Sequence, residues 1–195
     1  MYLELILALY SVGAIEFGQF KLKSGLLSPF YLDLRVLVSY PSVLHMSAES
    51  LARMLQTLTF DRIAAIPYAA LPIGTAVALE IERPLIYPRR EKKDYGTGRA
   101  IEGVYRSGET AVVLDDVITT GASKLEAIEP LVAAGLRVHD IVVLIDREQG
   151  GAEELAARGY HVHAVLKIRE IMHALREANQ VSESQLEQVL AFLGT

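Results

Sequence analysis

Three apolar, β-branched segments in the second half of the chain constrain its fold most strongly. They are AVVLDD (111–116), VHDIVVLID (138–146) and YHVHAVL (160–166), and each is typical of a strand buried on both faces. Helical spacing lies between them, at Ser123–Ala134 and Ala152–Arg158. Strands that alternate with helices predict an α/β fold with a mostly parallel central sheet flanked by helices. In such sheets ligands bind beyond the carboxyl ends of the strands, so we look for chemistry there.

The remaining segments continue this alternation. Further strands are predicted at Phe17–Leu22, Phe30–Val38, 62–67 and 85–88. Further helices are predicted at Leu3–Val12, Ser42–Leu58, Pro72–Glu82, Ile168–Ala178 and Ser182–Leu193. The segment from Arg89 to Gly108 has little apolar periodicity. A loop of about twenty residues in a compact domain is usually a lid or binding loop, and a solvated hairpin is the alternative.

The composition excludes several classes of protein. The length of 195 residues suits one core, so we expect residues 1–195 to form a single domain. The absence of Cys excludes disulfides, thiolate nucleophiles and Cys-ligated zinc. With 24 acidic and 19 basic residues, the formal charge of −5 predicts no nucleic-acid partner. The N-terminus is a poor signal peptide, and the longest uncharged stretch contains two prolines. We therefore expect no membrane segment and a cytoplasmic location.

The segment VVLDDVITTGAS (112–123) carries the strongest functional pattern. A buried strand leads through a short turn of small and hydroxylated residues into a helix near Ser123. The backbone N–H groups of Thr119 to Ser123, their hydroxyls and the positive end of the helix would together cradle a phosphate. Gly121 would let the backbone approach it closely. The segment has neither the Walker A pattern nor a Rossmann fingerprint.

Two carboxylates, Asp115 and Asp116, lie at the end of the same strand. Because carboxylates repel a phosphate, they are expected to face something beside it, either ribose hydroxyls or a metal ion. A phosphate cradle with two acids alongside is typical of a sugar-phosphate site.

This segment resembles the phosphoribosyl-pyrophosphate motif of type I phosphoribosyltransferases. Three further segments resemble orotate phosphoribosyltransferases, closest to the transferase domain of UMP synthases: FKLKSGLLSPFYLDLR (20–35), RREKKDYGTGRAIEG (89–103) and LIDREQGG (144–151). The resemblance covers roughly residues 15 to 155. It implies the type I phosphoribosyltransferase fold, with a small N-terminal hood and a long mobile catalytic loop.

The resemblance also implies an activity. The substrates would be orotate and phosphoribosyl pyrophosphate, and the products orotidine 5′-phosphate and pyrophosphate, in pyrimidine biosynthesis. Mg²⁺ would arrive on the diphosphate without direct protein ligands. The enzyme would be a homodimer with shared active sites, in which the lid of one chain reaches the site of its partner.

The sugar-phosphate side takes its residues from two segments. The resemblance implies three catalytic residues: Lys93 on the lid, where positive charge would serve the departing pyrophosphate, and Asp115 and Asp116 on the ribose hydroxyls. The residues implied to bind phosphoribosyl pyrophosphate are Arg89, Arg90, Lys93, Tyr95, Asp115, Asp116, Val117, Ile118, Thr119, Thr120, Gly121, Ala122 and Ser123. Tyr95 stands where the short bacterial enzymes usually have His.

The orotate side is also assigned through the resemblance. Arg147 would bind the orotate carboxylate, because a guanidinium suits a carboxylate. Phe30 and Tyr31 would lie beside the ring, Lys23 would reach the site, and Thr119 would touch orotate. Without the resemblance, we would interpret Phe30 and Tyr31 as core residues and Arg147 as part of a surface ion pair.

Two other functions remain as alternatives. One is a regulator that senses phosphoribosyl pyrophosphate, although it would not need Lys93 and Arg147 together. The other is a phosphoribosyltransferase for a different base, which would lack the KSGLLSP and DREQGG segments.

Overall fold

A six-stranded sheet forms the centre of the computed structural model, which describes residues 2–21, 25–90 and 100–194. The strands are β1 (Ile15–Lys21), β2 (Leu27–Leu32), β3 (Arg62–Ala65), β4 (Leu85–Pro88), β5 (Ile101–Glu102), β6 (Thr110–Ile118), β7 (Arg137–Asp146) and β8 (His161–Lys167). The helices are α1 (Leu3–Ser11), α2 (Pro41–Leu55), α3 (Ala70–Glu80), α4 (Ala122–Ala133), α5 (Gly151–Ala156), α6 (Ile168–Glu177) and α7 (Glu183–Leu193), with a 3₁₀ helix at Leu34–Ser39.

The central sheet has the strand order β5-β4-β3-β6-β7-β8. The pairs β3–β4, β3–β6, β6–β7 and β7–β8 are parallel, and only the two-residue β5 pairs antiparallel with β4. The predicted mostly parallel α/β sheet is confirmed.

Both faces of the sheet are buried, which explains the β-branched runs in the sequence. Along β7, Val142 and Leu144 belong to the larger core, and Ile141 and Val143 belong to the smaller core. Successive side chains of a strand point to opposite faces, so each strand supplies both cores.

The N-terminal region forms a separate two-stranded sheet of β1 and β2, as the predicted hood requires. The boundaries differ from the sequence prediction, which continued the second strand from Phe30 to Val38. In the structure Asp33 ends the strand, because its carboxylate accepts the N–H of Arg35 at 3.1 Å. Leu34 and Leu37, three residues apart, are then buried along the 3₁₀ helix.

The strand order reverses between β3 and β6. The chain runs from β3 through α3 to β4 on one side of β3, whereas β6, α4 and β7 continue on the other side. Such a reversal opens a crevice at the carboxyl ends of the two strands, where ligands of open α/β sheets bind. Across residues 2–21, 25–90 and 100–194, no helix combines the length and apolar composition that crossing a membrane requires.

Candidate active site

A cavity of about 420 Å³ lies at this reversal point. We call it the central cavity. Its walls come from the segment after β3, the end of β4, the end of β6 and the first turns of α4. Thr119, Thr120 and Ser123 line it, so the hydroxylated turn faces an open space large enough for a sugar phosphate.

The N-terminus of α4 lies at this turn. The N-cap residue is Gly121, which has no side chain to cap the helix, and the first turn of α4 contains no acidic residue. The positive end of the helix dipole therefore lies at the turn, as a phosphate cradle requires.

Gly121 has a different environment from the one expected. Its N–H donates a hydrogen bond to the Glu154 carboxylate at 3.0 Å, so this amide already has a partner. A Cβ added at Gly121 would lie 3.1 Å from both a Glu154 oxygen and Leu155 Cγ. The glycine thus allows α5 to pack closely against the turn, which is a packing reason for its small size.

The two acids lie inside β6, which continues to Ile118 beyond the predicted end at Asp116. Asp115 is 5% exposed, and its carboxylate accepts the N–H of Asp116 at 2.9 Å. Burial and the neighbouring Asp115 charge raise the pKa of the Asp116 carboxyl to about 7. The Asp115 carboxylate is therefore held in place by a backbone hydrogen bond, beside an Asp116 carboxyl whose pKa lies near neutral pH.

Lys124 is the partner of this pair, and our sequence reasoning missed it. Its ammonium lies 2.7 Å from Asp115 Oδ2, and the side chain is almost completely buried. One signal in the sequence could have revealed it. A lysine in the first turn of a helix is disfavoured by the helix dipole, so its presence there indicates an anionic partner.

The described start of the predicted lid contributes two arginines to the cavity wall. Arg89 forms an ion pair with Glu102 across the β4–β5 pair. The Arg90 guanidinium lies 5.7 Å from the centre of the Tyr68 ring, within cation–π range. Both cations are thus held at the edge of the cavity.

Arg147 follows the last residue of β7 and is buried, with 6% of its surface exposed. One guanidinium nitrogen donates to Ser28 Oγ at 3.3 Å, and the guanidinium lies 4.5 Å from the centre of the Phe30 ring. Its Nε is buried and has no hydrogen-bond partner among the residues that the structure describes. Over the parts of the chain that the structure describes, no carboxylate pairs with Arg147.

The described surroundings of Arg147 thus contain a buried cation with no anionic partner. Burial lowers the pKa of the Arg147 guanidinium, because the charged form loses solvation. The acids on either side of it in the sequence are engaged elsewhere. Asp146 accepts the Glu148 N–H at 2.7 Å, and Glu148 accepts the Arg169 N–H at 2.9 Å. The surface ion pair considered as the alternative is therefore absent at Arg147 among the described residues.

The two aromatic residues of β2 have different environments. Phe30 is fully buried between the Arg147 guanidinium and the ring of Phe192, which meets it edge-on at 6.0 Å. Tyr31 stacks on Phe20 at 5.5 Å, and its hydroxyl accepts from Arg35 at 3.1 Å. Phe30 supports Arg147 from behind and belongs to the larger core.

The sugar-phosphate and Arg147 sides meet on adjacent strands. Ile118 of β6 is in register with Asp146 of β7, and the Arg147 N–H donates to the Ile118 carbonyl at 3.0 Å. Thr119, which follows Ile118, therefore lies beside the backbone of Arg147. The hydroxylated turn, the acid pair and a buried cation without an ion pair among the described residues thus lie together at the carboxyl ends of β6 and β7.

Comparisons with known proteins decide the family of this chain. It is 40% identical over 190 residues to the orotate phosphoribosyltransferase of Pyrobaculum aerophilum, covering 97% of both chains. The chain belongs to the orotate phosphoribosyltransferase family. Its fold is accordingly the type I phosphoribosyltransferase fold. Comparison with models of protein families gives no match.

Two other relatives are much longer than this chain. A Nostoc protein named bifunctional enzyme PyrF/PyrE is 46% identical over 182 residues, which cover 93% of this chain and 38% of that protein. The structure of Leishmania donovani UMP synthase matches with a TM-score of 0.92 and 45% identity, over 99% of this chain and 42% of that one. The chain thus spans about two fifths of the length of these relatives, and the predicted closeness to UMP synthases is confirmed.

Three residues assigned through the family resemblance lie outside the described residues: Lys23, Lys93 and Tyr95. Their roles stay predictions, as do the substrate contacts of the described site residues. The part of the chain that the structure describes contains no group of three or more His, Asp or Glu side chains arranged to hold a metal ion.

Proposed function

We propose that this chain is an orotate phosphoribosyltransferase, which transfers the ribose 5-phosphate of phosphoribosyl pyrophosphate to orotate. The products are orotidine 5′-phosphate and pyrophosphate. The observation that carries the proposal is Arg147, a buried guanidinium with no anionic partner among the described residues. Leaving such a cation unpaired is costly, and a carboxylate on the substrate would relieve that cost.

The sugar phosphate would occupy the central cavity. Its 5-phosphate would bind at the N-terminus of α4, with hydroxyls from Thr119, Thr120 and Ser123. Asp115 and Asp116 would face the ribose hydroxyls. Carboxylates beside the ribose also favour positive charge developing at the anomeric carbon, which gives them a role in the reaction as well as in binding.

The reaction would be a displacement at ribose C1. The bond from C1 to the diphosphate oxygen breaks, a bond from C1 to N1 of orotate forms, and the proton on N1 passes to the departing pyrophosphate or to water. The departing pyrophosphate carries its electron pair and needs positive charge nearby, which Arg90 at the cavity edge and Lys93 on the lid would supply. No covalent enzyme intermediate is required, so catalysis rests on positioning and charge neutralisation.

Mg²⁺ belongs to the substrate in this proposal, as the ion carried on the diphosphate. Asp115 already has Lys124 at 2.7 Å and the Asp116 N–H at 2.9 Å, so its oxygens are engaged. This arrangement fits an ion bound chiefly by phosphate oxygens.

We further propose a homodimer in which the lid of one chain serves the site of its partner, with the reaction taking place in the cytoplasm. A two-fold interface makes such an exchange reciprocal. This part of the proposal depends on the family resemblance, because Lys93 lies outside the described residues.

The test is an absorbance assay of orotate consumption with phosphoribosyl pyrophosphate and Mg²⁺, with omission of each component as a control. We expect turnover with orotate and none with uracil or adenine, which lack the carboxylate. Turnover with another base would favour the transferase alternative. Binding of phosphoribosyl pyrophosphate without any turnover would favour the sensing regulator.

A further inference from the structure

Lys124, in the first turn of α4, contacts the end of β6 from a buried position. Its residue is 3% exposed. Its ammonium contacts Asp115 Oδ2 at 2.7 Å, the Val117 carbonyl at 2.5 Å and Ser123 Oγ at 3.4 Å. An ammonium has three N–H donors, so these three acceptors satisfy it. None of the four segments that resemble the orotate enzymes assigns it a role.

These contacts determine what Asp115 can do. One Asp115 oxygen is held by the lysine, and the other accepts the Asp116 N–H. The charge of Asp115 is therefore locally compensated, whereas Asp116 has no ion pair with any described residue. The two acids, adjacent in the sequence, are thus in different situations.

We propose that Lys124 is a positioning residue of the sugar site, which neutralises Asp115 and thereby lets Asp116 ionise and face the ribose. That the ligand is a ribose rests on the proposed function, whereas the coupling between Lys124 and the acid pair does not. Without the ammonium, two buried carboxylates on consecutive residues would repel each other with no cation between them. One of the two would then hold a proton at neutral pH.

Other charged groups surround the pair. The remaining titratable or charged groups lining the central cavity are Tyr68, Arg89, Arg90 and Glu126. Asp146 and Arg147 end the neighbouring strand β7. Arg89 is compensated by Glu102. Lys124 is the only cation that contacts the pair within the described ranges. Burial and the Asp115 carboxylate raise the pKa of Asp116, whereas a hydrogen bond from the Val117 N–H and, to a smaller extent, the Lys124 charge lower it.

Three substitutions separate charge from shape. Lys124→Met removes both the charge and the hydrogen bonds, Lys124→Gln keeps donors without the charge, and Lys124→Arg keeps the charge. Arg137→Met is the matched control, because it removes one exposed cation at the opposite end of the same sheet. Folding of every variant is checked by circular dichroism, and Lys124→Gln carries the test if Lys124→Met does not fold.

The first measurement follows the Asp116 carboxyl by ¹³C NMR in aspartate-labelled protein without substrate. We expect the wild-type midpoint near pH 7. Lys124→Gln should move it upward by about 1–3 pH units, the usual effect of a nearby opposite charge. Lys124→Arg and Arg137→Met should leave it near the wild-type value. An unchanged midpoint in folded Lys124→Gln would overturn the proposal.

The second measurement is the pH profile of kcat/KM for phosphoribosyl pyrophosphate. In Lys124→Gln the acid limb should move upward with the Asp116 midpoint, so activity falls about tenfold or more at pH 6.5 and recovers toward pH 9. A lysine that only tethers the helix would lower activity equally at every pH, which would contradict our inference. Wild-type protein inactive toward orotate would reject the proposed function, and the NMR titration would still decide the role of Lys124.

Discussion

Replacing Arg147 with methionine should weaken orotate binding without weakening the fold. Methionine keeps most of the length of the side chain and can pack against the Phe30 ring, which now lies 4.5 Å from the guanidinium. What is lost is the charge, together with one hydrogen bond of 3.3 Å to Ser28. Ser28 remains satisfied, because its hydroxyl also donates to the Phe30 carbonyl at 2.7 Å.

The expected size of the effect follows from the burial of Arg147. Removing one partner of a buried, charge-assisted pair costs about 2–5 kcal/mol of binding free energy. At about 1.4 kcal/mol per tenfold, that raises the KM for orotate by roughly 30- to 4,000-fold. The KM for phosphoribosyl pyrophosphate should change by less than about threefold, since Arg147 does not line the central cavity.

The free energy of unfolding should not fall together with the affinity for orotate. A buried cation without an anion disfavours the folded state, and its removal is partly offset by the lost cation–π contact of up to about 2 kcal/mol. We expect the free energy of unfolding in urea to stay unchanged or to rise by about 1–2 kcal/mol. The control is Arg137→Met, an exposed cation far from the site, which should alter neither KM.

Two results would refute this reasoning. An equal rise in both KM values would mean that Arg147 does not distinguish the substrates. A fall in the free energy of unfolding by several kcal/mol would mean that Arg147 is a structural cation with a partner in solution. The variant Arg147→Lys refines the test, because it keeps the charge but loses the bidentate geometry, so it should recover only part of the orotate affinity.

Three further predictions concern the acid pair and the lid. Asp116→Asn should lower kcat by about 10²–10³, as loss of a preorganised charge at a developing cation does; wild-type turnover would contradict this role. The same substitution should raise the free energy of unfolding more at pH 8 than at pH 5. The folded-state pKa of Asp116, about 7, lies above its unfolded value, so the wild-type native state loses stability as pH rises from 5 to 8. Urea titrations of both proteins at both pH values check this prediction. Mixing Lys93→Ala with Asp115→Asn/Asp116→Asn should restore about one quarter of wild-type activity if lids cross between subunits, and none if each lid serves its own chain.

The sheet was predictable because its signal is local. The strand predicted at 138–146 is found at Arg137–Asp146, since a run buried on both faces is visible in any short window of sequence. The second N-terminal strand was not predictable past Leu32. There the Asp33 carboxylate turns the backbone into a 3₁₀ helix, and apolar residues at Leu34 and Leu37 fit either structure in the sequence.

The candidate site also has one part that the local sequence predicts and one part that it does not. Asp115, Asp116 and the hydroxyls of the turn are consecutive in the chain, so a reader of the sequence can place them together. The environment of Arg147 depends on Ser28, which is 119 residues away, and on Phe30 in another sheet. The acids on either side of Arg147, Asp146 and Glu148, indicate an ion pair in the sequence. In the structure they instead accept hydrogen bonds from the backbone N–H groups of Glu148 and Arg169.

In both halves of the site, burial disfavours the charged form of an ionisable side chain. Arg147 directly follows β7, and Asp116 lies on the adjacent strand β6, yet among the described residues no ion pair joins these two groups of opposite charge. An ion pair between them would compensate both charges within the protein, and neither group would then gain as much from contact with a ligand. Each is instead held where burial disfavours its charged form, as the lowered pKa of Arg147 and the raised pKa of Asp116 indicate. A ligand with a carboxylate for Arg147 and ribose hydroxyls for Asp116 would relieve both costs at once, which is the physical reason that the proposed substrates suit these two groups.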